Sequence, residues 1–213
     1  MTLLQQAIGW ERRRKVQIDV IDYGQYWMRY ARYGLGLSYG LTSGKNIDDI
    51  PGELDKRLAS VMDRLAGFGN GEDKFLRQIP VCYNIQAPLY WWSEMDTYKV
   101  GTTAQSESTM HSLGSVFKIT QDMFERNIPD EILNELNIVL NRYRVSHSDV
   151  DFFTLKNMLP SGWLQRRMWT ANYAVLKNIY RQRKHHRLPE WCQFCETVRK
   201  STPICLQDIF EEV

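Results

Sequence analysis

The chain has 213 residues, 43% hydrophobic and 24% charged, enough apolar material to bury one sizeable core, and a single domain over 1–213 is expected. Lys plus Arg number 27 against 25 Asp plus Glu, which excludes the global basic footprint of a nucleic-acid binder or a polybasic membrane-surface protein. An anionic ligand must therefore be held by local groups. No window approaches the roughly 18 apolar residues of a spanning helix, and the opening MTLLQQAIGWERRRK has too short an apolar run for a signal peptide. A cytoplasmic protein with neither a membrane nor a nucleic-acid partner is expected.

Val16 to Gly24, VQIDVIDYG, alternates apolar and polar residues as a strand does. Tyr26 to Arg32 followed by YGLGLSYGLTSG predicts a short helix and then a loop. Those glycines lack the six-residue spacing of a dinucleotide-binding turn. Pro51-Gly52 opens a clear helix with Leu54, Leu58, Val61, Met62 and Leu65 on one face, ended by GFGNG. Lys74 to Tyr83 reads as a buried segment leading into Ile85-Gln86-Ala87-Pro88-Leu89-Tyr90. Ser112 to Thr120 is a short segment, and Pro129 to Tyr143 an amphipathic helix with Ile132, Leu133, Leu136, Val139 and Leu140 inside.

The richest stretch is Lys156 to Arg183, KNMLPSGWLQRRMWTANYAVLKNIYRQR. After the Leu159-Pro160-Ser161-Gly162 turn, Trp169, Leu176, Ile179 and Tyr180 predict one long helix from Trp163 to near Arg187, with Asn172, Asn178 and Arg183 interrupting its apolar stripe. Read as residues alone, these three either form a site-bearing face or line the outside of an ordinary helix. Leu188-Pro189 ends it, and a last helix from Glu190 carries Trp191, Phe194 and Val198. Arg181, Arg183, Lys184, His185, His186 and Arg187 form a basic cluster that suits a helix C-terminus.

Four cysteines, Cys82, Cys192, Cys195 and Cys205, include one C-x-x-C but no second close pair, so two thiols on a helix are expected rather than a metal site. The seven Trp and eleven Tyr serve either to fill a core or to stack on flat ligands.

The second half resembles the flavin-dependent thymidylate synthase (ThyX) family, in which a Leu-Pro turn precedes an Asn, a second Asn six residues on, and an Arg five further. Asn172, Asn178 and Arg183 have that spacing, and Lys156, three before Leu159-Pro160, takes the place of a second basic residue. The first half is similar through Ile85-x-Ala87-Pro88 and a degenerate form of the family's Arg-His-Arg signature in WWSEMDTYKVGTTAQSESTMHS. Either Tyr98-Lys99-Val100 or Thr97-Tyr98-Lys99 stands at Arg-His-Arg. Ser108 is kept, while Gln105, Ser106 and Met110 replace the Asn, Glu and final Arg.

The resemblance implies an α/β fold with an antiparallel sheet flanked by helices, assembled as a homotetramer. It implies FAD as cofactor, with NADPH and methylenetetrahydrofolate as co-substrates, for methylation of deoxyuridylate. Tyr98, Lys99, Asn172 and Asn178 would address the flavin. Lys156, Arg183, Ser108 and Gln105 would bind the pyrimidine deoxynucleotide, with Ser108 also catalytic and no metal involved. The alternatives are flavin-dependent modification of another pyrimidine nucleotide, as in viral nucleotide-modifying enzymes, or a nucleotide-binding homologue without catalysis.

Overall fold

The computed structural model describes residues 16–69 and 71–210. The expectation for the opening stretch up to Lys15 and the Asn70 of the GFGNG turn lie outside them. Strands β1 (Gln17–Asp22), β2 (Pro80–Pro88), β3 (Thr103–Ser106) and β4 (Leu164–Asn172) form an antiparallel sheet in the order β1-β2-β4-β3. Among the described residues the helices are α1 (Gln25–Ser38), α2 (Gly52–Ala66), α3 (Leu89–Met95), α4 (Thr109–Ser115), α5 (Asp130–Ser146), α6 (Asp149–Met158), α7 (Tyr173–Arg183) and α8 (Pro189–Ser201). The expected α/β class, an antiparallel sheet flanked by helices, is what the chain adopts.

The largest departure from the sequence reading is β4. The single helix expected from Trp163 is a nine-residue strand followed by an eleven-residue helix. Gln165-Arg166-Arg167-Met168 are good helix formers, but tertiary pairing overrides them. The Leu89 N–H donates to the Trp163 carbonyl and the Tyr173 N–H to that of Ile79, each at an end of the β2–β4 ladder. Trp169, Ala171 and Tyr173 are then buried at every second position. Trp169 belongs to this strand and not to the helical stripe of Leu176 and Ile179.

Helix α1 runs through Gly34 and Gly36 of the stretch expected to be a loop, while Gly40 and Gly44 lie in turns beyond its end. At Gly36 a Cβ would lie 2.5 Å from Thr42 Cγ2, so the bare backbone lets Thr42 pack fully buried and donate its hydroxyl to the Tyr33 carbonyl at 2.9 Å. Close approach, not turn formation, explains that glycine.

The described chain falls into two compact units. One comprises 16–17, Ile85–Asp96 and Ser106–Arg167. Its core joins Leu113 of α4, Leu136, Val139 and Leu140 of α5, Leu155 of α6, and Phe124 and Trp163, whose rings meet edge to face at 5.5 Å. Asn137 ties this core to the connecting segment, accepting from the Ile119 N–H and donating to the Ile119 carbonyl.

The other unit comprises Ile18–Asn84, Thr97–Gln105 and 168–210. An aromatic cluster runs through it. Tyr83 of β2, Trp169 of β4 and Phe194 of α8 have ring centroids 5.9 to 6.1 Å apart, and Phe194 lies 6.0 Å from Trp191. Burial pushes the Tyr83 phenol up to about 12, and that of Tyr173, which donates to the Tyr23 carbonyl, further still.

Lys177 of α7 is a buried cation in the same unit. Its ammonium donates to the carbonyls of Ala66, where α2 ends, and Phe68, and lies 2.6 Å from Asp73 Oδ2. It thereby satisfies open carbonyls at a helix C-terminus and pins the following turn to α7. Lys177→Met should destabilise the fold by about 3 kcal/mol, since it leaves a half-buried carboxylate and the helix end unpaired. Chemical denaturation measures this; a loss under 1 kcal/mol would show that water replaces the lysine.

Candidate functional site

Asn172 marks the point where β4 becomes α7. Its backbone is still extended, and its side-chain oxygen accepts the Val175 N–H at 3.1 Å, the bond of a helix N-cap. Asn178 follows on the exposed face of the helix six residues on. Segment 97–101 comes up beside them, allowed by Gly101. This glycine has φ +76°, and a Cβ there would lie 3.0 Å from Asn172 Nδ2 and 3.3 Å from Val175 Cγ2.

The result is a cleft of about 550 Å³ lined by residues 97–101, by Arg77, and by Asn172, Ala174, Val175 and Asn178. That volume lies within the roughly 300–1,000 Å³ of small-molecule sites. A smaller cavity, about 190 Å³, lies against Arg29 and Arg32. Both arginines are already ion-paired at 2.7 Å, with Asp48 and Asp55, so the larger cleft is the better site.

Tyr98 is the most constrained residue of the cleft wall. Its ring packs edge-on against Trp191 at 6.1 Å, its hydroxyl donates to Gln182 Oε1 at 2.9 Å, and Arg183 Nε donates to it at 2.9 Å. Arg183 stacks over Trp191 at 4.8 Å and Tyr98 at 5.7 Å, and its Nη1 lies 2.9 Å from His186 Nε2. A guanidinium held this way is a wall-builder, fixed by cation–π contact and hydrogen bonds together. Lys99 and Arg77 line the cleft as exposed cations without a carboxylate partner among the described residues. Two amides, an aromatic ring and two cations fit a flat heteroaromatic ligand with polar edges and an anionic tail.

Four of the residues singled out in the sequence, Tyr98, Lys99, Asn172 and Asn178, thus share one cleft, and both possible registers of the degenerate signature fall within its wall. Arg183 stands behind Tyr98 and is not among the lining residues. Gln105 is exposed on β3. Ser108 and Lys156 belong to the first unit. Ser108 precedes α4 with an exposed side chain, its carbonyl accepting from the His111 and Ser112 N–H groups. Lys156 Nζ lies 2.9 Å from Met110 Sδ, a weak acceptor that leaves the charge uncompensated. Arg77, Gln182 and Trp191 were missed by sequence reasoning, because an Arg, a Gln and a Trp at these positions carry no local motif.

The basic cluster is partly structural: Arg181 Nη2 donates to the Gly67 carbonyl at 3.1 Å, and Lys184 Nζ lies over the Tyr180 ring. The C-x-x-C lies on α8. Desolvation, helped by the adjacent Cys192, pushes the Cys195 thiol up to about 12, while Cys192 faces the Lys184 and His186 carbonyls. Among the described residues no group of three or more His, Cys, Asp or Glu could hold a metal ion, and no helix is long and apolar enough to cross a membrane.

An antiparallel four-stranded sheet with this helical surround is the fold of the flavin-dependent thymidylate synthases. The structure of ThyX from Helicobacter pylori complexed with FAD and dUMP matches at TM-score 0.67 and 11% identity, over 92% of this chain and 98% of that one. A second Helicobacter pylori ThyX structure with FAD and dUMP matches at 0.64 and 13%, over 92% and 97%. The UMP/dUMP methylase PolB from Streptomyces cacaoi, bound with 5-Br dUMP, matches at 0.57 and 12%, over 93% and 95%. No family model and no curated protein matches the sequence. At these identities the likeness shows a shared fold.

Two outcomes follow from the geometry. Gly101→Ala should cost about 1–2 kcal/mol, the penalty of a side chain in the left-handed region, and push the wall away from Asn172; denaturation of the variant tests it, and an unchanged midpoint would contradict it. Cys195 should resist iodoacetamide at pH 8 in the folded protein and react after unfolding, because the thiolate is the nucleophile. Peptide mass spectrometry reads this; rapid native labelling would contradict it.

Proposed function

We propose that the chain is a flavin-dependent enzyme that transfers a one-carbon unit to a pyrimidine deoxynucleotide, deoxyuridylate being the expected acceptor. The observation that carries this reading is the convergence of Tyr98, Lys99, Asn172 and Asn178, from two distant stretches, on one cleft of ligand size. The shared fold with proteins seen bound to FAD and dUMP supports it. Methylenetetrahydrofolate would be the carbon donor and NADPH the reductant. The flavin, when bound, would supply the redox chemistry.

The chain's own residues divide the remaining work. Asn172 and Asn178 would hydrogen-bond the polar edge of the ring system, Tyr98 would flank it, and Lys99 and Arg77 would neutralise an anionic tail. Lys156, whose ammonium meets only a thioether among the described residues, would take the nucleotide phosphate, with Ser108 donating to its polar groups. Arg183 would act on the substrate side only through the Tyr98 wall it supports. Homo-oligomerisation belongs to the same proposal. The exposed aromatic cluster of Tyr26, Trp27 and Tyr30 on α1 gives an interface material, and light scattering after size exclusion should find more than a monomer.

A second reading, action on a ribonucleotide or another pyrimidine nucleotide, is favoured by one comparison, since the fold is shared with a UMP/dUMP methylase. Titration with dUMP and UMP, followed by mass analysis of the product in the presence of FAD, NADPH and methylenetetrahydrofolate, separates the two. A product 14 mass units heavier than dUMP, on the order set by one added methylene, supports the first reading. Lys156→Met should weaken nucleotide binding by about 1.5–3 kcal/mol, with the loss shrinking as salt rises. Arg181→Met, whose side chain is spent on the Gly67 carbonyl, should leave affinity unchanged. Equal effects from both variants would sink the assignment of Lys156.

A further inference from the structure

We infer that Gln182 is a positioning residue that holds the Asn178 amide with its NH2 group toward the cleft, so that the site selects ligands presenting a hydrogen-bond acceptor at that point. The inference rests on reading the cleft as a ligand site. It begins from Arg183, which can only donate. Arg183 Nε donates to the Tyr98 hydroxyl at 2.9 Å, and the hydroxyl in turn donates to Gln182 Oε1 at 2.9 Å. This leaves the opposite end of Gln182, its NH2 group, to donate to Asn178 Oδ1 at 2.9 Å.

Oxygen and nitrogen of an amide have nearly the same shape, so the network and not packing decides which one the cleft meets. In the reversed chain the Tyr98 oxygen would face two donors, and its own hydrogen would have no acceptor among the described residues. The reversed chain therefore gives up the bond that the Tyr98 hydroxyl donates to Gln182. Asn172 reaches the same polarity independently, because its Oδ1 is occupied by the Val175 N–H. Neither amide's NH2 group has a protein acceptor among the described residues, and both residues line the cleft. The wall therefore offers two amide donors, with the cations Lys99 and Arg77 beside them. A ring carrying carbonyl oxygens or unprotonated nitrogens on that edge fits, and one carrying N–H groups there does not.

The test uses the full chain with riboflavin, which is uncharged, and FMN as probes, titrated by flavin fluorescence. Gln182→Glu replaces the relay's donor by an acceptor. The carboxylate keeps the Tyr98 hydroxyl bond, draws the Asn178 NH2 to itself and turns Asn178 Oδ1 into the cleft. Riboflavin affinity should fall about fivefold or more, the cost of facing acceptor with acceptor. Gln182→Met merely releases the amide and should cost about twofold to threefold. Asn178→Asp should match Gln182→Glu. Gln182→Glu binding riboflavin as well as Gln182→Met does, or a loss confined to FMN and so due to charge, would overturn the inference.

A readout without ligand runs in parallel. Side-chain amide exchange by NMR in the wild type should show the Gln182 NH2 protected and the Asn178 NH2 exchanging freely; the reverse would overturn the relay whether or not flavin binds. Failure of the wild type to bind either flavin would contradict the reading of the cleft and leave the exchange result to judge the relay.

Discussion

The Asn172 side chain decides where a strand becomes a helix, and the site depends on that point. Up to Asn172 the chain is committed to the β2–β4 ladder, with the Tyr173 N–H still donating to Ile79. The Val175 N–H lies in the first turn of the helix, and the Asn172 oxygen supplies the acceptor that this turn lacks. Shifting this junction by one residue would send Trp169 and Ala171 to the wrong face of the sheet. It would also rotate Asn178 by about 100° around the helix, out of the cleft. A capping bond worth about 1 kcal/mol thus fixes geometry far beyond its own energy, because the aromatic packing of Trp169 on Tyr83 and Phe194 tolerates one register.

The second support comes from α8. Trp191 joins the aromatic interior to the cleft wall: it packs on Phe194 on one side and on Tyr98 and Arg183 on the other. Arg183 is a cation placed between two rings rather than in solvent, and its hydrogen bond sets the direction of the relay through Tyr98, Gln182 and Asn178. Lys177, one residue before Asn178, lies on the buried side of the same helix, where it anchors α7 to the end of α2. Helix α7 therefore has a structural face and a cleft-lining face.

Periodicity made much of the fold legible. The alternation of VQIDVIDYG gave β1, the apolar faces of α2 and α5 were plain although Ile132, expected inside, is exposed, and Pro189 opens α8 where a proline suits a first turn. The failures have physical causes. β4 contains helix formers whose fate is set by pairing with residues far away in the chain, and the α1 glycines serve close packing of Thr42 that no local pattern reveals. At the site, Asn172 and Asn178, picked out by their spacing, both line the cleft, although the single helix assumed for them is a strand and a helix. Spacing could not show that Arg183 would face Tyr98 and Trp191, nor that Gln182, an exposed glutamine in a helix, would connect two wall residues. Those are properties of a network assembled from three segments.

The proposed function requires that the cleft between segment 97–101 and the start of α7 bind a flavin. Backbone amide shifts followed by NMR during titration with FMN address it directly. The largest changes should fall on residues 97–101, on Asn172 to Asn178 and on Arg77. Changes concentrated instead on the exposed aromatics of α1, or none at saturating FMN, would contradict it.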